Sequence, residues 1–495
     1  MTRQKRQPTL IEALIPLVFL TVLISINVLI FGVDSLEGSN QIVLLLAAGV
    51  AGLVALRIGF SWEEMLSGMV KSISAAIPAI LILLLIGSLA GTWLLSGIIP
   101  AMVYYGLHIL NPTIFLVAAC VICAIVSIAT GTSWGTVATI GVALLGIGRA
   151  LGLPDGLIGG AIISGAYLGD KFSPLSDTSN LSAGMAGADL FTHVRYMVWT
   201  TLPTMVITLL IFLFIGLFRE TTGEYQDITP LLQAVDGAFN ITPWLFLVPA
   251  LVIFLIVRKA PAAPTLFLGT LAGAVFALIF QPQIIKQVSG IEGQFHLASF
   301  IAVMKSMYTD ISVVTGNEMA DNLLQTGGMS GMLKTVWLIL CAMIFGGVME
   351  GTGLLQRITE SIIRWAHNTG SLVASTVSTS IFINLTASDQ YLSLVIPGRM
   401  YAETYRKQGL KPEVLSRTLQ DSGTVTSALI PWNTCGATQA AVLGVSAFTF
   451  APFAFFNILT PIVTLIFAYF NIKIARFKSQ ETNENAEISD NQERV

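Results

Sequence analysis

Charge is what this 495-residue chain has least of: Asp, Glu, Lys and Arg together make up 11% of it, against 54% hydrophobic residues, and its mean hydropathy is +0.79. A single water-soluble core could not hide that much apolar surface, so the natural solvent is lipid. Histidine and cysteine are as sparse, four of each. His108, His193, His296 and His367 show no H-E-x-x-H or other ligand spacing, so no transition metal is assigned and no cofactor is called for. The cysteines, Cys120, Cys123, Cys341 and Cys435, lie in or beside apolar runs. There they act as small hydrophobes, and the single C-x-x-C of Cys120 and Cys123 has no second pair with which to hold zinc. The net charge of -3 is uninformative about partners, and no basic patch of the kind nucleic acid requires is visible.

What the chain does have is long apolar runs, at 10–30, 75–95, 112–129, 197–218, 244–257, 336–349 and 448–470. Most are long enough to cross ~30 Å of hydrocarbon at 1.5 Å per residue, and roughly ten to twelve crossings fit the chain. The expected fold is therefore an all-α polytopic membrane protein. The first run follows Arg3, Lys5 and Arg6 but is too long for a signal peptide, so it reads as a retained helix. Arg3, Lys5 and Arg6 at one end and Lys473, Arg476 and Lys478 at the other place both termini on the cytoplasmic side, with an even number of spans between them. Residues 479–495 are polar and acidic and read as a disordered tail. Segments 61–71 and 318–332 are too polar to span and are expected along the interface.

Three weak matches recur in the same order some 250 to 260 positions apart. Gly91-Thr-Trp-Leu-Leu95 returns as Gly351-Thr-Gly-Leu-Leu355. The polar interruption Thr130-Gly-Thr-Ser133 returns as Thr386-Ala-Ser-Asp389. The stretch from Asp170 through Asp177 and Thr178 returns as the stretch from Asp421 through Pro431, Asn433 and Thr434. This predicts an N-terminal segment and first helix (1–40), a first transmembrane repeat (41–218), a loop and linking helix (219–261), a second repeat (262–475) and a tail (476–495). Duplicated halves with polar breaks at matching places are a pattern of secondary transporters, whose broken or re-entrant helices meet near the midplane. An odd number of spans per half would make the repeats inverted.

The chemistry concentrates in Gly165–Asn180, where Asp170, Lys171, Ser173, Ser176, Asp177 and Thr178 sit between two apolar runs. A charged side chain at the centre of a span costs about 2.5–3.5 kcal/mol, so two carboxylates there need a cation, a proton or water. Seven residues, two helical turns, separate Asp170 from Asp177, which would put both on one face with Ser173 between them. If the helix ran through Pro174, the carbonyl of Asp170 would lose its partner and could face a cation; Pro431 would do the same for Ser427. Carboxylates, hydroxyls and free carbonyls are the ligands hard cations prefer. The candidate cation site is therefore Asp170, Asp177, Ser173, Ser176 and Thr178, with Thr132 and Ser133 upstream and Thr386, Ser388, Asp389, Asp421, Asn433 and Thr434 in the second half. Alternative readings stay open. Asp170 and Asp177 would also serve as helix caps or pair with Lys171 at the membrane surface. Gly131 and Gly135 have the spacing of a helix-packing G-x-x-x-G. Asp389 and Asp421 lie near Arg399, Arg406, Lys407 and Lys411, as in a cytoplasmic loop. Glu350, at the end of an apolar run, fits an interfacial position.

The stretch Gly169-Asp-Lys-Phe-Ser-Pro-Leu-Ser-Asp-Thr178, with Gly131-Thr-Ser-Trp-Gly-Thr136 upstream, resembles the signature of the NhaC-type sodium/proton antiporter family. The resemblance covers most of the chain. It implies exchange of sodium for protons across the bacterial cytoplasmic (inner) membrane, inverted repeats with re-entrant hairpins, and often a homodimer. Members resembling this pattern also exchange sodium and organic acids, such as malate for lactate, or carry amino acids. The residues suggest a mechanism of competition, one carboxylate cluster holding either sodium or protons, with only the occupied forms crossing. Lys171 would be an internal counter-ion in the empty state, or else a cytoplasmic anchor. Exchange of an organic anion would need a positive group, for which Arg399 is the candidate, though it reads better as a positive-inside anchor. Duplicated proline-broken acidic segments suit occluded binding better than a channel's continuous pore, and an enzyme is not expected.

Overall fold

The computed structural model describes residues 5–109, 112–218, 229–258, 260–363 and 367–477. Residues 478–495, to which nearly all of the expected tail belongs, and Arg3 lie outside them. Helices account for nearly all regular structure, as the apolar periodicity predicts. Helix α1 (Leu10–Phe31) starts at Thr9, whose hydroxyl accepts the Glu12 N–H while Glu12 reaches back to Thr9, a capping box that satisfies two otherwise orphaned donors. Helix α2 (Ser39–Ile58) follows. Helix α3 (Trp62–Leu95) opens with the same device at Ser61 and Glu64 and runs 34 residues without a break. The expectation that 61–71 lies apart along the interface is thus corrected, since those polar residues are the first turns of a spanning helix, held there by the Ser61 cap and the Lys5–Glu64 ion pair.

Next come α4 (Ile98–Ile109), α5 (Pro112–Thr130), the short α6 (Ser133–Thr136), a π-turn at Val137–Gly141, α7 (Val142–Ala150), α8 (Asp155–Phe172), α9 (Asp177–Ala186) and α10 (Leu190–Phe218). The linking region holds α11 (Thr229–Ala238) and α12 (Leu247–Val257), the latter preceded by a turn at Pro243–Phe246; the chain bends by 85° between α11 and that turn. The series continues with α13 (Ala262–Phe280), α14 (Pro282–Ser289), α15 (Phe295–Tyr308), α16 (Glu318–Leu323) and α17 (Gly328–Gly331). Two-residue strands β1 (Ile311–Ser312) and β2 (Gln325–Thr326) pair antiparallel beside α16, so 318–332 does not span. The last part comprises α18 (Leu333–Gly351), α19 (Leu354–Ile363), α20 (Thr369–Thr386), α21 (Leu392–Lys407) and α22 (Pro412–Leu419). After a second π-turn at Gln420–Thr424 come α23 (Val425–Ser427), α24 (Thr434–Leu443), α25 (Ala447–Phe450) and α26 (Phe455–Tyr469).

Among the described residues, seven helices are long and apolar enough to cross a membrane. Two bent pairs and two shorter apolar helices, Ile98–Ile109 and Phe455–Tyr469, add to them. Large apolar side chains such as Leu29, Ile125, Phe214 and Phe218 stand more than half exposed on the outside, while the interior combines a large apolar core with buried hydroxyls, amides and a few charges. An apolar exterior around such an interior is that of a multi-pass membrane protein.

Close approach of α5 and α8 positions the centre. A Cβ on Gly165 would fall 2.1 Å from the Cys120 carbonyl oxygen, and one on Gly169 2.3 Å from the Ser127 Cβ, so only glycine lets these backbones meet. Cys120 and Cys123 are buried packing residues of that contact.

Candidate functional site

Four helix interruptions converge. The α5–α6 break carries Gly131 at φ +72°, where an added Cβ would lie 2.7 Å from the backbone of Leu175 in the α8–α9 break. In the second half Ser388, in the α20–α21 break, has φ +57°, and its carbonyl accepts the Thr434 N–H of the α23–α24 break at 2.9 Å. Gly131 therefore serves a left-handed turn and a close loop contact, and the two glycines do not share one helix face, because α5 ends at Thr130 and Gly135 lies on the separate short α6. Around these breaks lies a cavity of about 740 Å³. Thr132 and Ser133, Asp170, Asp177 and Thr178, Asp389 to Tyr391, and Thr434 all line it, with walls from α3 and the end of the linking region. Among the described residues its lining contains three aspartates and no lysine, arginine or histidine.

Asp170 lies at the buried end, 6% exposed. Its Oδ2 accepts from Ser133 Oγ at 2.7 Å, and its Oδ1 accepts from Ser176 Oγ at 2.6 Å and Thr178 Oγ1 at 3.4 Å. These hydroxyls come from two separate pieces of chain: the first residue of α6, and the N-cap and first turn of α9. One carboxylate with three hydroxyls is an oxygen-only set fit for a hard monovalent cation. Asp389, 5% exposed, reaches the cavity from the other half and accepts the Leu392 N–H at 2.8 Å, capping α21.

Several expectations are corrected by the geometry. Asp170 and Asp177 do not share a helix face, because α8 stops at Phe172 and α9 begins at Asp177; Asp177 is exposed at the cavity wall while Asp170 is buried. Nor is the Asp170 carbonyl free, since it accepts from Ser179 Oγ at 3.2 Å, and the Ser427 carbonyl accepts the Ile430 N–H at 3.4 Å. A chain that leaves the helix at proline finds new donors in the turn that follows. Ser173 is buried away from the cavity and donates to the Ile128 carbonyl at 2.8 Å, and Thr386 donates to its own helix at Phe382. Asn433 caps α24 and donates to Asn384 at 3.1 Å. Asp389 and Asp421 are buried rather than in a surface loop, whereas Arg399 is exposed and does not line the cavity. Glu350 lies 3.6 Å from Lys71.

The largest departure concerns Lys171, which does not face Asp170 or Asp177. Its Nζ lies 2.7 Å from Asp421 Oδ1, with both side chains fully buried, and Thr464 donates to the other carboxylate oxygen. Consecutive residues of α8 thus point to opposite sides, Asp170 to the cavity and Lys171 into the second half. Sequence reasoning also passed over Gln420, which ties the halves together. Its Oε1 accepts from Ser182 Oγ at 2.7 Å and its Nε2 donates to Thr178 Oγ1 at 3.0 Å. Its position directly before Asp421, opposite a serine-rich break, was the one available signal. The stretch Gly131-Thr-Ser-Trp-Gly135 also has the G-x-S-x-G spacing of a nucleophilic serine, a pattern the sequence reading took to be absent. Ser133 bonds Asp170 and no histidine lines the cavity, so the base such a serine requires is missing among the described residues.

Broken helices around a polar, partly occluded cavity in a membrane-embedded bundle define a secondary transporter. The model of the Na+/H+ antiporter family matches residues 165–472, and the chain belongs to that family. It is 38% identical over 438 residues, 88% of this chain and 91% of the relative, to the Na(+)/H(+) antiporter NhaC of Alkalihalophilus pseudofirmus. The Malate-2H(+)/Na(+)-lactate antiporter of Bacillus subtilis is 35% identical over 94% of this chain and 95% of its own length. The Arginine/ornithine antiporter ArcD of Halobacterium salinarum is 32% identical over 97% of this chain and 96% of its own length. These relatives are transporters and not enzymes, as the sequence reading expected.

Proposed function

We propose that the protein exchanges sodium for protons across the bacterial cytoplasmic membrane, with Asp170 as the group that holds one or the other. The observation that carries this is a cavity lined by three aspartates and, among the described residues, by no basic side chain, ending at a carboxylate already cradled by Ser133, Ser176 and Thr178. A bare carboxylate there is costly without a counter-charge, so sodium and proton are alternative ways of neutralising it, and shared ligands make the exchange obligatory. Asp177 at the wall and Asp389 from the second half raise the local cation concentration. Both chain ends are assigned to the cytoplasmic face from their basic residues.

Alternating access follows if 41–218 and 262–475 are two repeats of opposite orientation. Supporting this, the succession α3, α4, α5, break, α6–α7, α8, break, α9, α10 recurs as α18, α19, α20, break, α21, α22–α23, break, α24, α26. A left-handed residue follows the third helix of each series, Gly131 in one and Ser388 in the other.

A second reading, coupled exchange of an amino acid or organic acid, is favoured by the cavity's size, which exceeds what one ion fills, and by the names of the Bacillus and Halobacterium relatives. Among the described residues no basic side chain lines the cavity, which favours solutes bearing an ammonium group over anions. The deciding experiment is a pH-dye assay in proteoliposomes after a sodium jump, comparing the wild type with Asp170→Asn at equal incorporation. Sodium-driven proton movement, lost in the variant, is the expected result. Its absence from well-incorporated wild-type protein would turn attention to labelled malate, lactate and amino acids.

A further inference from the structure

Gln420 opens the π-turn that joins α22 to α23, fully buried and directly before Asp421. The two side chains serve different neighbours. Asp421 faces Lys171, with Arg417 of α22 buried within electrostatic range of that lysine, whereas the Gln420 amide faces α9 and the hydroxyls around Asp170. Both ends of the amide are occupied. Its Oε1 accepts from Ser182 Oγ at 2.7 Å and from Thr424 Oγ1 at 2.9 Å, and its Nε2 donates to Thr178 Oγ1 at 3.0 Å and to Ser179 Oγ at 3.3 Å.

Counting protons gives these contacts a direction. A serine or threonine hydroxyl has one proton to give and two lone pairs with which to accept. Ser179 donates to backbone carbonyls, that of Lys171 at 2.8 Å and that of Asp170 at 3.2 Å, so toward Gln420 it can only accept, and the amide nitrogen belongs on this side. Ser176 donates to Asp170 Oδ1 at 2.6 Å. Ser176 Oγ and Thr178 Oγ1 lie 2.9 Å apart, and with the Ser176 proton held by Asp170 the donor of that pair is Thr178. Thr178 in turn accepts from Gln420, whose amide nitrogen never accepts. One chain of donors therefore runs from Gln420 through Thr178 and Ser176 to Asp170, out of the second half of the protein and into the first. Thr178 lines the cavity and keeps one lone pair for a cation. Without the amide its hydroxyl could turn and present a proton to the ion instead. Glutamine suits the place because it is neutral and orients the hydroxyls without itself attracting or repelling the cation.

We propose that Gln420 is a positioning residue for sodium: acting through Thr178, it sets the hydroxyl oxygens beside Asp170 as ligands, so that the site reaches full affinity only while the π-turn is docked on α9. The proposal rests on the sodium/proton reading given above. It gives the contact between the two halves a direct part in ion binding, because a movement that draws α9 away from the π-turn breaks the chain at Gln420 and weakens the site.

The test is a double-mutant cycle on sodium-dependent initial rates in proteoliposomes. Gln420→Met keeps the length and neutrality of the side chain and removes its donors. Its half-saturating sodium concentration is expected to rise roughly five- to tenfold, with the maximal rate within about twofold of wild type. Thr178→Val, which keeps the shape and removes the hydroxyl, is expected to raise half-saturation by itself, and adding Gln420→Met to it should change the value by no more than about twofold. Thr424→Val, which releases the amide oxygen on the side away from Asp170, is the milder second variant and is expected to move half-saturation in the same direction, with the same dependence on Thr178. It decides the matter should Gln420→Met not assemble. Unchanged half-saturation in the assembled variant overturns the proposal, as does a loss confined to the maximal rate. Rises that multiply in the double variant also overturn it, since Gln420 would then act elsewhere than through Thr178. Wild-type vesicles without sodium-driven proton movement overturn the underlying reading and the proposal with it, an outcome seen before any variant is compared.

Discussion

Lys171 and Asp421 are separated by about half of the chain, each beside a helix break, yet their side chains meet at 2.7 Å where neither touches solvent. Removing one partner of such a pair leaves the other charge buried, which typically costs 3–5 kcal/mol. The two deletions should differ. Asp421→Ala strands two cations, Lys171 and Arg417, whereas Lys171→Met leaves Asp421 with Thr464 and with Arg417 nearby. Thermal unfolding in detergent is expected to show a loss of about 3–5 kcal/mol for Asp421→Ala and clearly less for Lys171→Met. Equal losses would mean that Arg417 does not compensate Asp421.

Among the described residues Ser133 is the only hydroxyl on Asp170 Oδ2. A hydrogen bond to a charged group contributes about 1.5–3 kcal/mol. Ser133→Ala is accordingly expected to raise the sodium concentration for half-maximal exchange by roughly tenfold or more, with a smaller change in maximal rate. Sodium-dependent initial rates in proteoliposomes check this, and an unchanged half-saturation would place sodium elsewhere.

If sodium and protons compete for one carboxylate, the pH dependence has a fixed sign. Sodium affinity is full where the carboxylate is ionised and falls as pH drops, by up to about tenfold per pH unit once protons occupy the site. Saturating sodium should recover the rate at each pH. Initial rates over a sodium and pH grid test it: a maximal rate that falls with pH while half-saturation stays constant would refute competition.

The α5–α8 contact predicts opposite outcomes for two glycine substitutions. A side chain at Gly165 meets the Cys120 backbone, so Gly165→Val should destabilise the fold by about 1–3 kcal/mol or more and disturb exchange through Asp170. Gly184 on α9 has no atom within 4 Å of an added Cβ, and Gly184→Ala should raise stability by up to about 1 kcal/mol with transport unaffected. Thermal unfolding beside transport assays measures both.

The sequence by itself determined the membrane class, from the length and apolarity of its runs, and the family, from Gly169–Thr178 and Gly131–Thr136. It also marked where helices break, because proline, glycine and clustered hydroxyls interrupt helical hydrogen bonding wherever they occur. What it could not fix was where the side chains point once the breaks are made. Helical periodicity puts Asp170 and Asp177 on one face only while the helix lasts, and the turn at Ser173–Ser176 resets the direction. Local charge counting likewise paired Lys171 with its neighbours and left Asp421 among the basic residues that precede it. The tertiary structure instead buries Lys171 against Asp421 and turns Asp170 to the cavity, because a buried charge is stabilised by whichever partner the packing of distant helices brings within reach.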